Sequence, residues 1–113
     1  MNADDLARNC RSAAALLKSM ANEHRLAILC RLATGEASVG ELIAAVGLSQ
    51  SALSQHLARL RAEGLVKTRR ASQQIFYSLA SAEAQRLMET LHGIYCVGEG
   101  APHPSPVCEE VSP

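Results

Sequence analysis

Two sets of residues in this chain have types and spacings that could do chemistry. The first is its four thiols, Cys10, Cys30, Cys96 and Cys108. A thiolate can attack an electrophile, ligate a soft metal or join a second thiol. No Cys-x-x-Cys pair is present, which argues against a thiol redox enzyme or a compact metal knuckle. Each cysteine can equally be a small buried hydrophobe, the usual state of a free one. His92 precedes Cys96 by one helical turn and, when protonated, would favour its thiolate. The negative end of a helix opposes that effect. Cys10, Cys108 and the neighbouring His103 could hold a metal across a dimer, or Cys10 and Cys108 could be accessory thiols.

The second set runs from Ser49 to Arg59. Leu53, Leu57 and Leu60 recur at helical spacing and mark one buried face. Gln50, Ser51, Ser54, Gln55, His56 and Arg59 project away from it. Short donors and acceptors backed by arginine suit base edges and phosphates in a DNA major groove. The same pattern also describes an ordinary solvated helix face. Beyond Gly64 the chain turns basic, and Arg69, Arg70 and Gln73 are candidates for phosphate or minor-groove contact. His24 and Arg25 read as helix surface, and His56 as a neighbour of DNA rather than of a metal.

The elements that must position these residues are legible from periodicity and caps. A first helix is expected over 3–20 and a second over 23–34, capped by Asn22 and stopped by Gly35. Ser38 and Glu41 fit a capping box, which starts a third helix near Val39 that ends at Gly47. Ser49 caps a fourth, which ends before Gly64. The short turn at Gly47–Leu48 gives helix-turn-helix spacing. Alternation over 65–70 and 74–79 predicts a hairpin with its tip at Ala71-Ser72-Gln73. A fifth helix is expected from Ser81 to about Cys96. Four helices, a hairpin and a fifth helix make a mainly α winged helix-turn-helix. Residues 97–113 hold four prolines and two glycines, so one domain is expected over 1–97 and a flexible tail over 98–113.

Composition bounds the rest. The chain has 113 residues, enough for one modest core that an oligomer would supplement. Apolar residues make up 48% but aromatics only 3%, which favours helix-on-helix packing. No apolar run is long enough for a membrane span, and the acidic start lacks an apolar leader. A cytoplasmic protein without a disulfide framework is expected. Net charge is zero, yet residues 50–79 carry five Lys/Arg against Glu63 alone, while residues 80–113 are acidic. The positive charge sits where DNA contacts are expected.

Several segments resemble the ArsR/SmtB family of winged-helix repressors. They are Leu17-Lys18-Ser19-Met20-Ala21-Asn22-Glu23-His24-Arg25-Leu26-Ala27-Ile28-Leu29, Ser38-Val39-Gly40-Glu41-Leu42, Leu48-Ser49-Gln50-Ser51-Ala52-Leu53-Ser54-Gln55-His56-Leu57 and Arg61-Ala62-Glu63-Gly64-Leu65-Val66. The likeness covers about residues 12–97. It implies a homodimer through the first and last helices, bound to palindromic double-stranded operator DNA and released by an inducer. No cofactor is implied.

Within that family, Ile28-Leu29-Cys30 and Ile94-Tyr95-Cys96 resemble the two-cysteine branch of HlyU/BigR/SqrR type, which senses reactive sulfur or oxidants. The Cys-Val-Cys of arsenic and cadmium sensors is absent from the third helix, where Glu41-Leu42-Ile43-Ala44-Ala45 stands. The last helix offers only Glu89 and His92 toward a zinc site. The resemblance therefore implies that Cys30 and Cys96 are the sensing pair and that linking them releases DNA. A direct disulfide needs their Cα atoms within about 7 Å, whereas inserted sulfur atoms would span more. A metal- or metalloid-responsive repressor using Cys10 and Cys108 is the alternative.

Overall fold

The computed structural model describes residues 3–95. Its elements are α1 (Ala3–Arg8), α2 (Cys10–Met20), α3 (Glu23–Ala33), β1 (Ala37–Ser38), α4 (Val39–Val46), α5 (Gln50–Ala62), β2 (Val66–Ala71), β3 (Gln74–Leu79) and α6 (Ala82–Tyr95). The expected winged helix-turn-helix is present, with two differences in its element order and a narrower hairpin tip.

The first helix is interrupted. Asn9 leaves helical geometry at φ −107°, ψ 14°, and its backbone N–H donates to Leu6 O, three residues back. Its side-chain amide donates to Asp5 O at 2.8 Å. An asparagine that serves the backbone locally competes with helix propagation, so one expected helix becomes α1 and α2. The second difference is β1. It pairs antiparallel with β3 through Ala37↔Tyr77 and Ser38↔Phe76, giving a three-stranded sheet in the order β1-β3-β2. Two residues are too few for alternation to announce a strand.

The core lies where α3, α4, α5 and the sheet meet. Ile28, Leu29, Leu42, Leu53, Leu57 and Leu60 are fully buried, and Ala84 and Met88 of α6 close one side. Burying each large aliphatic side chain is worth about 1.5–3 kcal/mol before chain entropy is subtracted. The leucine stripe of α5 is the face that fixes its orientation.

Caps set the helix-turn-helix. The Ser38 hydroxyl accepts from Glu41 N at 3.2 Å, and Ser38 N donates to Glu41 Oε1 at 2.8 Å, the full capping box. Gly47 ends α4 at φ 80°, where a side chain would be strained. Ser49 then caps α5 by accepting from Ala52 N. Ser81 caps α6 by accepting from Ala84 N at 3.0 Å. In the hairpin the tip narrows to Ser72-Gln73, and Ser72 takes φ 57°.

α1 buries no residue and α2 only Ser19 and Met20. Leu6, Leu17, Ile94 and Tyr95 stay exposed, so both ends of the described chain present apolar surface.

Candidate DNA interface and thiol site

On α5, Gln50, Ser51, Ser54, Gln55 and Arg59 are exposed opposite the leucine stripe, as expected. Arg59 Nε lies 3.4 Å from Glu63 Oε2, one turn on. His56 is different. It is half-buried on the flank of α5 that faces α3, with its ring 5.8 Å from that of His24. Burial pushes its pKa below the ordinary histidine value, and the charges of Arg25, His24 and Arg59 push the same way.

His24 is exposed, as read, but Arg25 corrects its own reading as helix surface. It is buried, and its Nε donates to Ser19 O at 2.7 Å. Ser19 lies in the last turn of α2, where carbonyls lack intrahelical donors. Arg25 supplies one and ties α3 to the end of α2.

In the hairpin, pairing places successive side chains on opposite faces. Arg70 pairs with Ile75, and Arg69 with Phe76. Arg70, Gln73 and Arg69 are all exposed, but Arg69 is engaged. Its Nε donates to Glu36 Oε2 at 2.6 Å and its Nη2 to Glu36 Oε1 at 2.8 Å. The guanidinium carbon stands 4.8 Å from the Phe76 ring centroid. The arginine's hydrogen bonds hold the Glu36 carboxyl below its usual pKa, and Glu36 raises that of Arg69 in return. Sequence reasoning missed Glu36, because it lies in a loop and meets Arg69 only through the sheet. An open recess of about 470 Å³ joins Ser38, Gly40 and Ile43 to Gln50, Gln73 and Ile75. It links the start of α5 to the wing tip.

The thiol region is separate. Cys30 is exposed on α3, against the alternative of a buried hydrophobe. It lines an apolar trough of about 700 Å³ between α3 and α6, with Leu26, Met88, Leu91, His92 and Tyr95. A smaller recess of about 280 Å³ also contains Cys30, Met88 and His92, together with Glu89. Cys10 is exposed at the first position of α2. Cys96, His103, Cys108 and the expected tail lie outside the described residues. Among the described residues no group of three His, Cys, Asp or Glu could hold a metal. None of the described helices is long and apolar enough to cross a membrane.

Residues 22–68, from the cap of α3 to the start of β2, match the family model for bacterial regulatory proteins of the arsR family. The chain is 54% identical over 96 residues to the transcriptional activator HlyU of Vibrio cholerae, covering 85% of this chain and 89% of that protein. The chain belongs to the arsR family. It is 51% identical over 86 residues to the biofilm growth-associated repressor of Agrobacterium fabrum, covering 76% and 74% of the two chains. Among solved structures, the transcriptional repressor BigR of Xylella fastidiosa aligns with TM-score 0.81 at 42% identity, over 87% of this chain and all of that one. The family and these relatives are transcriptional regulators rather than enzymes, and the winged helix is the shared scaffold.

Proposed function

We propose that this arsR-family protein is a dimeric, DNA-binding repressor that leaves its operator when Cys30 and Cys96 become linked. Gln50, Ser51, Ser54 and Gln55 meet base edges or nearby phosphates, and Arg59 meets phosphate. His56 flanks them from the α3 side. Arg70 and Gln73 extend the contact from the wing. Arg69, committed to Glu36, is left out of direct contact. The exposed Leu6, Leu17 and Ile94 supply the apolar face a second copy would cover, and a two-fold dimer would read a palindromic double-stranded operator. A regulator of this kind works in the cytoplasm, where the DNA is.

One observation carries the sensing half. Cys30 and Tyr95 line the same trough, and Tyr95 is the chain neighbour of Cys96. Packing of α6 on α3 brings the last described residue, Tyr95, to the trough that Cys30 lines, and this supports the reading. The inducer is an oxidant or a reactive sulfur species. It accepts the two electrons and two protons lost when the thiols join; one persulfide does so by leaving as a thiol and sulfide, and two persulfides leave one sulfur in the bridge while releasing two thiols and one sulfide. The bridge would shift α6 against α3, change the dimer contact and respace the two copies of α5.

The test is operator binding by fluorescence anisotropy at fixed salt, reduced against persulfide-treated, with intact mass on the same samples. Release that accompanies an intramolecular Cys30–Cys96 link, and is absent in Cys30→Ser, is expected. Unchanged affinity in a protein shown to carry the link would sink the sensing half. Failure of the reduced protein to bind any operator fragment would sink the repressor reading.

A further inference from the structure

The wing carries two adjacent arginines with different surroundings. Arg70 is exposed and shares its face of the hairpin with Ile75, which lines the recess reaching Gln50 of α5. Arg69 lies on the other face, its Nε–Nη2 edge donating to both oxygens of the Glu36 carboxylate and its guanidinium backed by Phe76. Two parallel hydrogen bonds fix orientation as well as distance, which a single contact does not.

The hairpin needs such a restraint. Its base is anchored by buried Leu65 and Val66, but Arg70, Ser72, Gln73, Gln74 and Ile75 are all exposed. Helices α3, α4, α5 and α6 also contact the hairpin, but the strand support beside it is β1, only two residues long, whose outermost pair is Ser38↔Phe76. Glu36 immediately precedes β1 and reaches across β3 to Arg69 in the middle of β2. It therefore ties the loop after α3 to the strand just where core packing ends.

We infer that Glu36 is a positioning residue for DNA recognition: by pinning Arg69 it fixes the tilt of the hairpin and so places Arg70 and Gln73 relative to Gln50 of α5. This rests on the DNA-binding reading above. Arg69 acts through the fold and Arg70 on the ligand, so neighbouring arginines of one strand do different work. In the dimer the pin occurs twice.

The experiment compares Glu36→Gln, Arg69→Gln and the double variant in the full chain. Hydrogen exchange of the free proteins is read at the amides of residues 69–75 and at α5. Hydroxyl-radical footprints and operator affinity are read on DNA. Each single variant is expected to speed exchange in the hairpin but not in α5. Each should weaken binding about four- to 25-fold for a dimer, the effect of losing one strong exposed pair per protomer. The footprint should fade at its flanks, where the wings lie, and persist at the α5 contacts. The double variant should be no worse than either single one, because one interaction is lost once.

Tighter binding by Glu36→Gln with a steeper salt dependence would overturn the inference, since it would make Arg69 a phosphate ligand that Glu36 restrains. Unchanged hairpin exchange would overturn the pin itself. Faster exchange with unchanged affinity would overturn its role in recognition. If the wild-type protein bound no DNA, the repressor reading would fall, and hairpin exchange would still decide the pin.

Discussion

Cys30 of α3 and His92 of α6 together line both recesses between those helices. The exposed thiol thus stands at the open seam between the two elements, in recesses that an imidazole also lines. A reagent in solution should reach it without unfolding. Native, reduced protein treated with a small maleimide is expected to be labelled at Cys30 as readily as at Cys10, which is also exposed. Peptide mapping after a short pulse checks this. Labelling of Cys30 only in denaturant would show it to be covered, and would remove the observation on which the sensing proposal stands.

A second prediction concerns acid. The folded state holds the pKa of His56 below its ordinary value of 6.5, first through burial and then through the charges of Arg25, His24 and Arg59. An unfolded chain binds a proton at that site more readily than the folded one. Stability is therefore complete above about pH 6.5 and falls as the pH drops toward the lowered folded value. The melting temperature should decline over that interval, and His56→Gln should flatten the decline. A wild-type melting temperature that held constant between pH 7 and 5.5 would count against the half-buried packing of His56 beside α3.

Gly47 gives a third. It closes α4 at φ 80° with open space where a Cβ would go. Steric room is thus available, and the cost of Gly47→Ala is conformational, about 1 kcal/mol. Gly47→Asn should cost less, because asparagine tolerates the left-handed region better. Urea titrations of the three proteins check the order. Equal stability of Gly47→Ala and wild type would show that the turn relaxes into another geometry.

What the sequence revealed and what it hid divide by range. The stripe of Leu53, Leu57 and Leu60, the Ser38–Glu41 box and the Gly47 stop are all contained within one helix or turn. Local spacing is enough to read them. The Arg69–Glu36 pair joins residues 33 positions apart, and only strand register brings them together. The burial of Arg25 depends on where α2 ends, and β1 depends on a partner strand that follows much later. The exposure of Cys30 was equally hidden, because its neighbours Ile28 and Leu29 are fully buried. One helical step separates the core face from the trough.

Arg70 and Arg69 offer the sharpest contrast for DNA binding, one side chain free to meet phosphate and the other paired with Glu36. Neutralising one phosphate releases condensed counterions, so the slope of log affinity against log salt carries about 0.9 per phosphate contact. A dimer with Arg70 on phosphate in both wings should therefore lose about 1.8 from that slope in Arg70→Ala. Arg69→Ala should weaken binding by loosening the wing and leave a larger share of the slope in place, because its own charge is already matched by Glu36. Binding isotherms at four or five salt concentrations separate the two. Equal slope losses from both substitutions would mean that both arginines reach the backbone, and a loss from Arg69→Ala alone would reverse their roles.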